Sequence, residues 1–130
     1  MSITLGGRSL SRLEGVHPDL VRVVKRAAAM SDLDFTVLEG LRTEARQRQL
    51  MQQGATKTLN SRHLTGHAVD LAPMLDGKVS WDWPLYHRLA KTVKSAAAFE
   101  KVPLQWGGDW RTFKDGPHWE LPWKQYPKGK

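Results

Sequence analysis

Residues 61–73, SRHLTGHAVDLAP, decide how the rest of the chain is read. They set His63 and His67 four positions apart and Asp70 three further on. On one continuous helix these three side chains would share a face. Two features oppose that helix. Gly66 stands inside it and costs about 1 kcal/mol relative to Ala. The second half, AVDLA, alternates: Val69 and Leu71 on one side, the small Ala68 and Ala72 beside Asp70 on the other. A strand with a bulky apolar side and a small side carrying one carboxylate reads as the floor of a cleft. The chain is therefore expected to turn near Thr65-Gly66, with His63 in the turn and Asp70 on a short strand that Pro73 ends. Nothing requires His67 to point the same way.

A catalytic zinc site needs a third protein ligand. The chain has no cysteine, so neither a thiolate site nor a disulfide is available. Nitrogen and oxygen ligands remain, a set that favours zinc. The best third ligand is His118 in KDGPHWEL, residues 114–121. There His118 and Glu120 share one face of a strand, and Trp119 and Leu121 the other. If this strand neighbours AVDLA, His118 meets His63 and Asp70, leaving a fourth position for water or substrate. A hydrolytic site also needs a separate carboxylate to move the water's proton to the leaving amine. Asp115, on the DGP turn, is the candidate. Glu120 is the alternative base, although its more natural role is to orient a ligand histidine through the other ring nitrogen. His17, beside Pro18, and His87, inside a helical pattern, read as surface or packing residues.

Outward from this centre the chain alternates helical and strand patterns. HPDLVRVVKRAAAMSD reads as the first helix, with Pro18 in its first turn and Leu20, Val23, Val24, Ala27 and Ala28 as the apolar stripe. DFTVLEG reads as a strand with Phe35, Val37 and Leu38 inward. Thr43 caps a second helix that runs to about Gln53, before Gly54. Residues 55–67 form a loop in this reading. LDGKV carries an Asp-Gly turn signal. Ser80 or Asp82 caps a long helix whose buried face holds Leu85, Leu89, Val93, Ala96 and Ala97. VPLQW and HWEL are two late strands, and the tail PWKQYPKGK is irregular and basic. The fold class is α+β, a small, mainly antiparallel sheet flanked by helices in one domain over residues 1–130.

The formal charge of +7 suits an anionic partner. One reading is a basic module that binds nucleic acid, with the tryptophans interleaved among the cations. It leaves His63, Asp70, Asp115 and His118 unexplained, so nucleic acid is not an expected partner. All six tryptophans lie after residue 80. They read as core or cleft wall, with some free to stack on a polymeric ligand. No apolar run approaches the roughly 20 residues of a membrane span. MSITLGGRSLSRLEG has no apolar segment of a secretory signal, so the protein is expected in the cytosol until something else releases it.

The motif SRHLTGHAVD matches the Ser-x-His-x-x-Gly-x-Ala-x-Asp signature of the VanY-like zinc peptidases, the D-Ala-D-Ala carboxypeptidase and dipeptidase group. DGPHWEL resembles their second motif, and HPDLVRVVKRA, FTVLEGLRT and WGGDW add to the likeness in the expected order. The chain is most similar to phage endolysins of the L-alanyl-D-glutamate peptidase type. This resemblance implies a Hedgehog/D,D-peptidase-like fold, zinc on His63, Asp70 and His118, and Asp115 as catalytic acid/base. It also implies that Arg42, in GLRT, faces the site and steadies substrate or transition-state charge. It gives His67 no ligand role. The implied activity is cleavage of the peptidoglycan stem peptide between L-Ala and D-Glu by a monomer, in the host cytoplasm until a membrane lesion lets it reach the wall. The positive charge would draw it to an anionic envelope. A D,D-carboxypeptidase removing terminal D-Ala uses the same metal chemistry, so the motifs alone do not choose the bond.

Overall fold

The computed structural model describes residues 2–54, 61–112 and 114–127. The strand foreseen in AVDLA is its centre, and it is longer than expected. β2 runs Ala68–Leu75, through Pro73 rather than ending there. It pairs antiparallel with β1, Phe35–Glu39, with Pro73 opposite Phe35. The Met74 amide donates to the Asp34 carbonyl, on the β1 side, at 2.8 Å. By alternation the Pro73 nitrogen points to the opposite side, where the Ser80 amide donates to the Pro73 carbonyl at 2.9 Å and only the return bond is missing. β2 then turns through Asp76 and Gly77 into β3, Lys78–Val79, so the Asp-Gly signal marks a hairpin.

Two late strands complete the sheet, both shorter than their apolar patterns suggest. They are β4, Gln105–Trp106, and β5, His118–Glu120. The order is β1-β2-β5-β4, with β3 attached to β2 and every pairing antiparallel. Asp70 stands directly opposite His118, and Val69 opposite Trp119. One face of the sheet sends Val37, Val69, Leu71, Trp106, Trp119 and Leu121 into the core.

Two helices cover that face. α2, Pro18–Met30, buries Leu20, Val23, Val24, Ala27 and Ala28, the stripe expected of it. His17 caps it: ring Nδ1 accepts from the Asp19 amide at 3.1 Å. α4, Trp83–Glu100, buries Leu89, Val93, Ala96 and Ala97 as expected, together with Tyr86 and Ala90, while Leu85, expected on the same face in the first turn, is only half-buried. Each buried Leu or Val contributes about 1.5–3 kcal/mol. Asp82 occupies the N-cap of α4 but makes no side-chain cap bond. In chain order β1 is followed by α3, Glu44–Gln52, capped by the Thr43 side chain accepting from the Arg46 amide. No helix among the described residues is long and apolar enough to cross a membrane.

Three further features depart from the sequence reading. A short helix, α1, Gly7–Arg12, precedes the expected first one; six residues without a side-chain cap give no periodicity to detect. It closes the open edge of β1. The Val37 amide donates to Ser9 Oγ at 3.0 Å, and Arg12 Nη1 donates to the Val37 carbonyl at 2.9 Å. Those edge groups would otherwise invite another strand. Second, β1 bulges at Leu38: the register passes from Val37 opposite Leu71 to Glu39 opposite Asp70. Leu38 is consequently half-buried rather than an inward core residue. Third, the expected loop over 55–67 is structured from residue 61 onward, while its first part, 55–60, lies outside the described residues.

Candidate metal centre

The turn that delivers the first histidine is built by its own sequence. Ser61 opens a 3-10 turn, Arg62–Thr65, and its side chain accepts from the His63 amide at 3.2 Å. Gly66 ends it at φ 77°, and a Cβ there would lie 2.3 Å from the Gly15 carbonyl oxygen. Both the left-handed backbone and the close approach call for glycine. The chain turns where the sequence reading put the turn, and no helix crosses 61–73. Arg62 anchors the turn from behind. Its buried guanidinium donates to the Leu121 carbonyl at 2.9 Å and the Tyr126 carbonyl at 2.6 Å, and stacks on the Trp123 ring.

His63 is 2% exposed. Its Nδ1 lies 2.9 Å from the Gly40 carbonyl and its Nε2 3.2 Å from Asp70 Oδ1. A carbonyl can only accept, so Nδ1 carries the proton and Nε2 faces the cleft as a donor atom. His118 is arranged in the opposite sense. Its Nε2 lies 2.7 Å from Glu120 Oε1, and its Nδ1 3.4 Å from the same Asp70 oxygen. One donor atom each from His63, Asp70 and His118 falls within 4.8 Å of the others, a group able to hold a metal ion. Two imidazoles, each oriented through its remaining nitrogen, and one carboxylate fit a divalent transition ion.

The electrostatics follow from this crowding. Burial alone would raise the Asp70 carboxyl, but hydrogen bonds and charge from His118 and His63 hold it well below the usual carboxylate range. Burial opposes charge on His118, yet Asp70 and Glu120 together push it up to about 9. Asp115 sits on the exposed rim. Protein packed on its inner side pushes its carboxyl up, the Asp70 charge adds to this, and His118, His63 and Arg42 pull the other way.

Asp115 is held by its backbone. Its amide donates to the Gly107 carbonyl at 3.0 Å, and the His118 amide donates to the Asp115 carbonyl at 3.2 Å. A Cβ on Gly107 would lie 2.4 Å from the Asp115 carbonyl oxygen and 3.1 Å from His118 Cβ. The glycine of WGGDW thus lets the acidic turn close onto the ligand strand. Arg42 borders the site from the β1 side. Its amide donates to the His63 carbonyl at 2.9 Å, and its guanidinium pairs with Glu39 and donates to Gln47 Oε1 at 2.7 Å.

His67 is buried but outside the donor group. Thr65 Oγ1 lies 2.6 Å from its Nδ1, and its ring neighbours His17 at 5.6 Å. His87 is exposed on α4, its ring in an edge-to-face arrangement with that of Trp106. Three contributors escaped the sequence reading: the Gly40 carbonyl, Gln47 and Trp110, whose ring lies 5.2 Å from that of His118. A backbone carbonyl leaves no residue-type signal. Gln47 is a buried polar residue on an otherwise polar helix, so no pattern marks it. Trp110, in WGGDW, had a signal in its nearness to the motif segments.

A family model described as phage L-alanyl-D-glutamate peptidase matches residues 1–121. Among curated proteins, the chain is 34% identical over 119 residues to the L-alanyl-D-glutamate peptidase of Escherichia phage T5, covering 88% of this chain and 87% of that protein. It is 36% identical over 109 residues to the L-alanyl-D-glutamate peptidase of Listeria phage A118, covering 78% of this chain and 38% of that protein. It is 35% identical over 120 residues to the peptidoglycan L-alanyl-D-glutamate endopeptidase CwlK of Bacillus subtilis, covering 75% of this chain and 66% of that protein. Among solved structures, the L-Ala D-Glu endopeptidase ChiX of Serratia marcescens superposes with a TM-score of 0.88 at 50% identity, covering 93% of this chain and 91% of that one.

Proposed function

The chain belongs to the phage L-alanyl-D-glutamate peptidase family, and from that premise we propose that it is a zinc-dependent peptidoglycan endopeptidase cutting the stem peptide between L-Ala and D-Glu. The single observation that carries this reading is the convergence of His63, Asp70 and His118 within 4.8 Å in a chain aligned to that family along nearly its whole length.

In this proposal His63 Nε2, an Asp70 oxygen and His118 Nδ1 hold the zinc ion. Bound there, zinc supplies Lewis acidity, polarising the scissile carbonyl and making the attacking water more acidic. The protein's own groups do the rest. The Gly40 carbonyl and Glu120 each fix one histidine proton, so both rings present a lone pair to the same point. Asp115 takes the water's proton and returns it to the leaving amine. Its upward shift suits that double duty, because a carboxyl closer to neutrality both accepts and releases a proton more readily. Arg42, held in place by Glu39 and Gln47, steadies the negative charge of substrate or transition state.

The 130 residues act as one catalytic domain and as a monomer. The net charge of +7 concentrates the enzyme at an anionic envelope, which it reaches from the host cytoplasm through a membrane lesion during phage lysis. Digestion of purified muropeptides, read by mass spectrometry, tests the bond. The expected products are a stem beginning with D-Glu and a glycan retaining L-Ala. Release of terminal D-Ala with the L-Ala–D-Glu bond intact would assign the chain to D,D-carboxypeptidase chemistry instead.

A further inference from the structure

We propose that Trp81 and Trp83 form a subsite for the N-acetylmuramyl ring from which the stem peptide hangs, a proposal that rests on the endopeptidase reading. These are large apolar side chains left in solvent, at 64% and 42% exposure. Such a patch at the mouth of a site needs a partner. The two rings are not loose. Trp81 stacks on Tyr86, with centroids 6.4 Å apart, and Trp83 lies 6.0 Å from Tyr86 and 6.4 Å from Trp106. Trp106 in turn stacks on the fully buried Trp119 at 5.7 Å. The exposed indoles are the outer end of an aromatic wall rooted in the core, so little freedom is lost when a ligand settles on them.

The wall begins beside the chemistry. A Cβ on Gly116, the residue after Asp115, would lie 3.2 Å from the Tyr86 ring and 3.5 Å from that of Trp83. Trp106 Nε1 donates to the Gly116 carbonyl at 2.7 Å. The two flanks of the site differ in kind. Arg42 follows β1 at one end of the sheet, while the aromatic wall stands against β4 and β5 at the other.

The two sides of the scissile bond differ in the same way. The D-Glu side brings a free carboxylate, which suits Arg42. On the L-Ala side, the nitrogen is acylated by the lactyl arm of the sugar. That arm's own carboxyl is used up in the amide, so the next group is an uncharged pyranose ring with C–H faces that pack flat on an indole. The sugar is the next group beyond L-Ala, and the wall packs against Gly116, the residue next to Asp115. The difference in charge between the two flanks orients the substrate with its sugar on Trp81 and Trp83.

The test compares two soluble substrates with the same stem, one carrying N-acetylmuramyl on L-Ala and one carrying only N-acetyl. The wild-type protein is expected to prefer the sugar-bearing stem in kcat/KM by about tenfold, chiefly through KM. Trp81→Ala should cut that preference severalfold, Trp81→Phe should restore part of it, and Trp81→Ala/Trp83→Ala should bring it close to one. Trp81 is the more exposed residue, so its variants report on the ligand rather than on folding. A wild-type preference near one, or a preference unchanged in Trp81→Ala, overturns the subsite while cleavage of both stems leaves the peptidase reading standing. Cleavage of neither stem overturns both.

Discussion

At the scale of single residues, one Asp70 oxygen lies 3.2 Å from His63 Nε2 and 3.4 Å from His118 Nδ1. That shared oxygen makes the three a unit, and each member has a distinct consequence. Replacing His63 with Ala should remove most bound zinc, whereas His67→Ala should keep it, because His67 bonds to Thr65 outside the group; metal analysis of the two purified variants separates these outcomes. Asp115→Ala should lower kcat by about 10²–10⁴-fold while largely sparing zinc content. A fully active Asp115→Ala variant would transfer the base role to Glu120 or another group.

His118 sets a pH dependence. In the metal-free protein it is pushed up to about 9, above its ordinary 6.5. Its ion pairs therefore stabilise the apo fold fully below that ordinary value and are lost as pH rises through about 9. Zinc held by His118 would have to displace that proton, so affinity should rise by about tenfold per pH unit toward that value and then flatten. Titration against a competing chelator across this window checks it, and an affinity that falls with rising pH would contradict the assignment of His118 as a ligand.

At the scale of elements, the cleft floor was legible and the cleft walls less so. Alternation in AVDLA and HWEL separated the core side chains from the titratable ones, because a strand's period of two leaves little freedom once one face is apolar. The resulting register puts Asp70 opposite His118. The extension of β2 through Pro73 was not legible, since it depends on which neighbour the proline nitrogen faces. Nor was the bulge at Leu38, which sets Glu39 opposite Asp70 and carries the chain on toward Arg42. Helix α1 was invisible for its length, yet it closes the β1 edge. The turn at Gly66 was legible as a break but not as a packing constraint. Gly66→Ala should destabilise the protein by about 2–4 kcal/mol, combining left-handed strain with overpacking against Gly15. A lowered urea midpoint with an unchanged slope would show this; an unchanged midpoint would mean that the turn relaxes freely.

At the scale of the whole molecule, pieces distant in sequence converge because one antiparallel sheet orders them. His63 enters on the turn before β2, Asp70 lies on β2, His118 on β5, Asp115 on the turn before it, and Arg42 just after β1. The C-terminal tail, expected to be merely irregular, is tied back across the fold. Tyr126 donates to Asp19 at 2.6 Å, and Arg62 donates to the Tyr126 carbonyl at 2.6 Å from the turn that carries His63. Composition marked the chain as basic and tryptophan-rich but could not say where either property would face. The structure puts Trp106 and Trp119 in the core and leaves Trp81 and Trp83 exposed.

The central claim is that one zinc ion, on His63, Asp70 and His118, cuts the L-Ala–D-Glu bond. Its most direct test strips the purified protein of metal, adds zinc back in sub-stoichiometric steps, and follows cleavage of a defined muropeptide by mass spectrometry at each step. The account predicts no cleavage without metal, a linear rise that levels off at one zinc per chain, and L-Ala–D-Glu as the bond broken throughout. Full cleavage by the stripped protein, or zinc-dependent cleavage at a different bond, would contradict it.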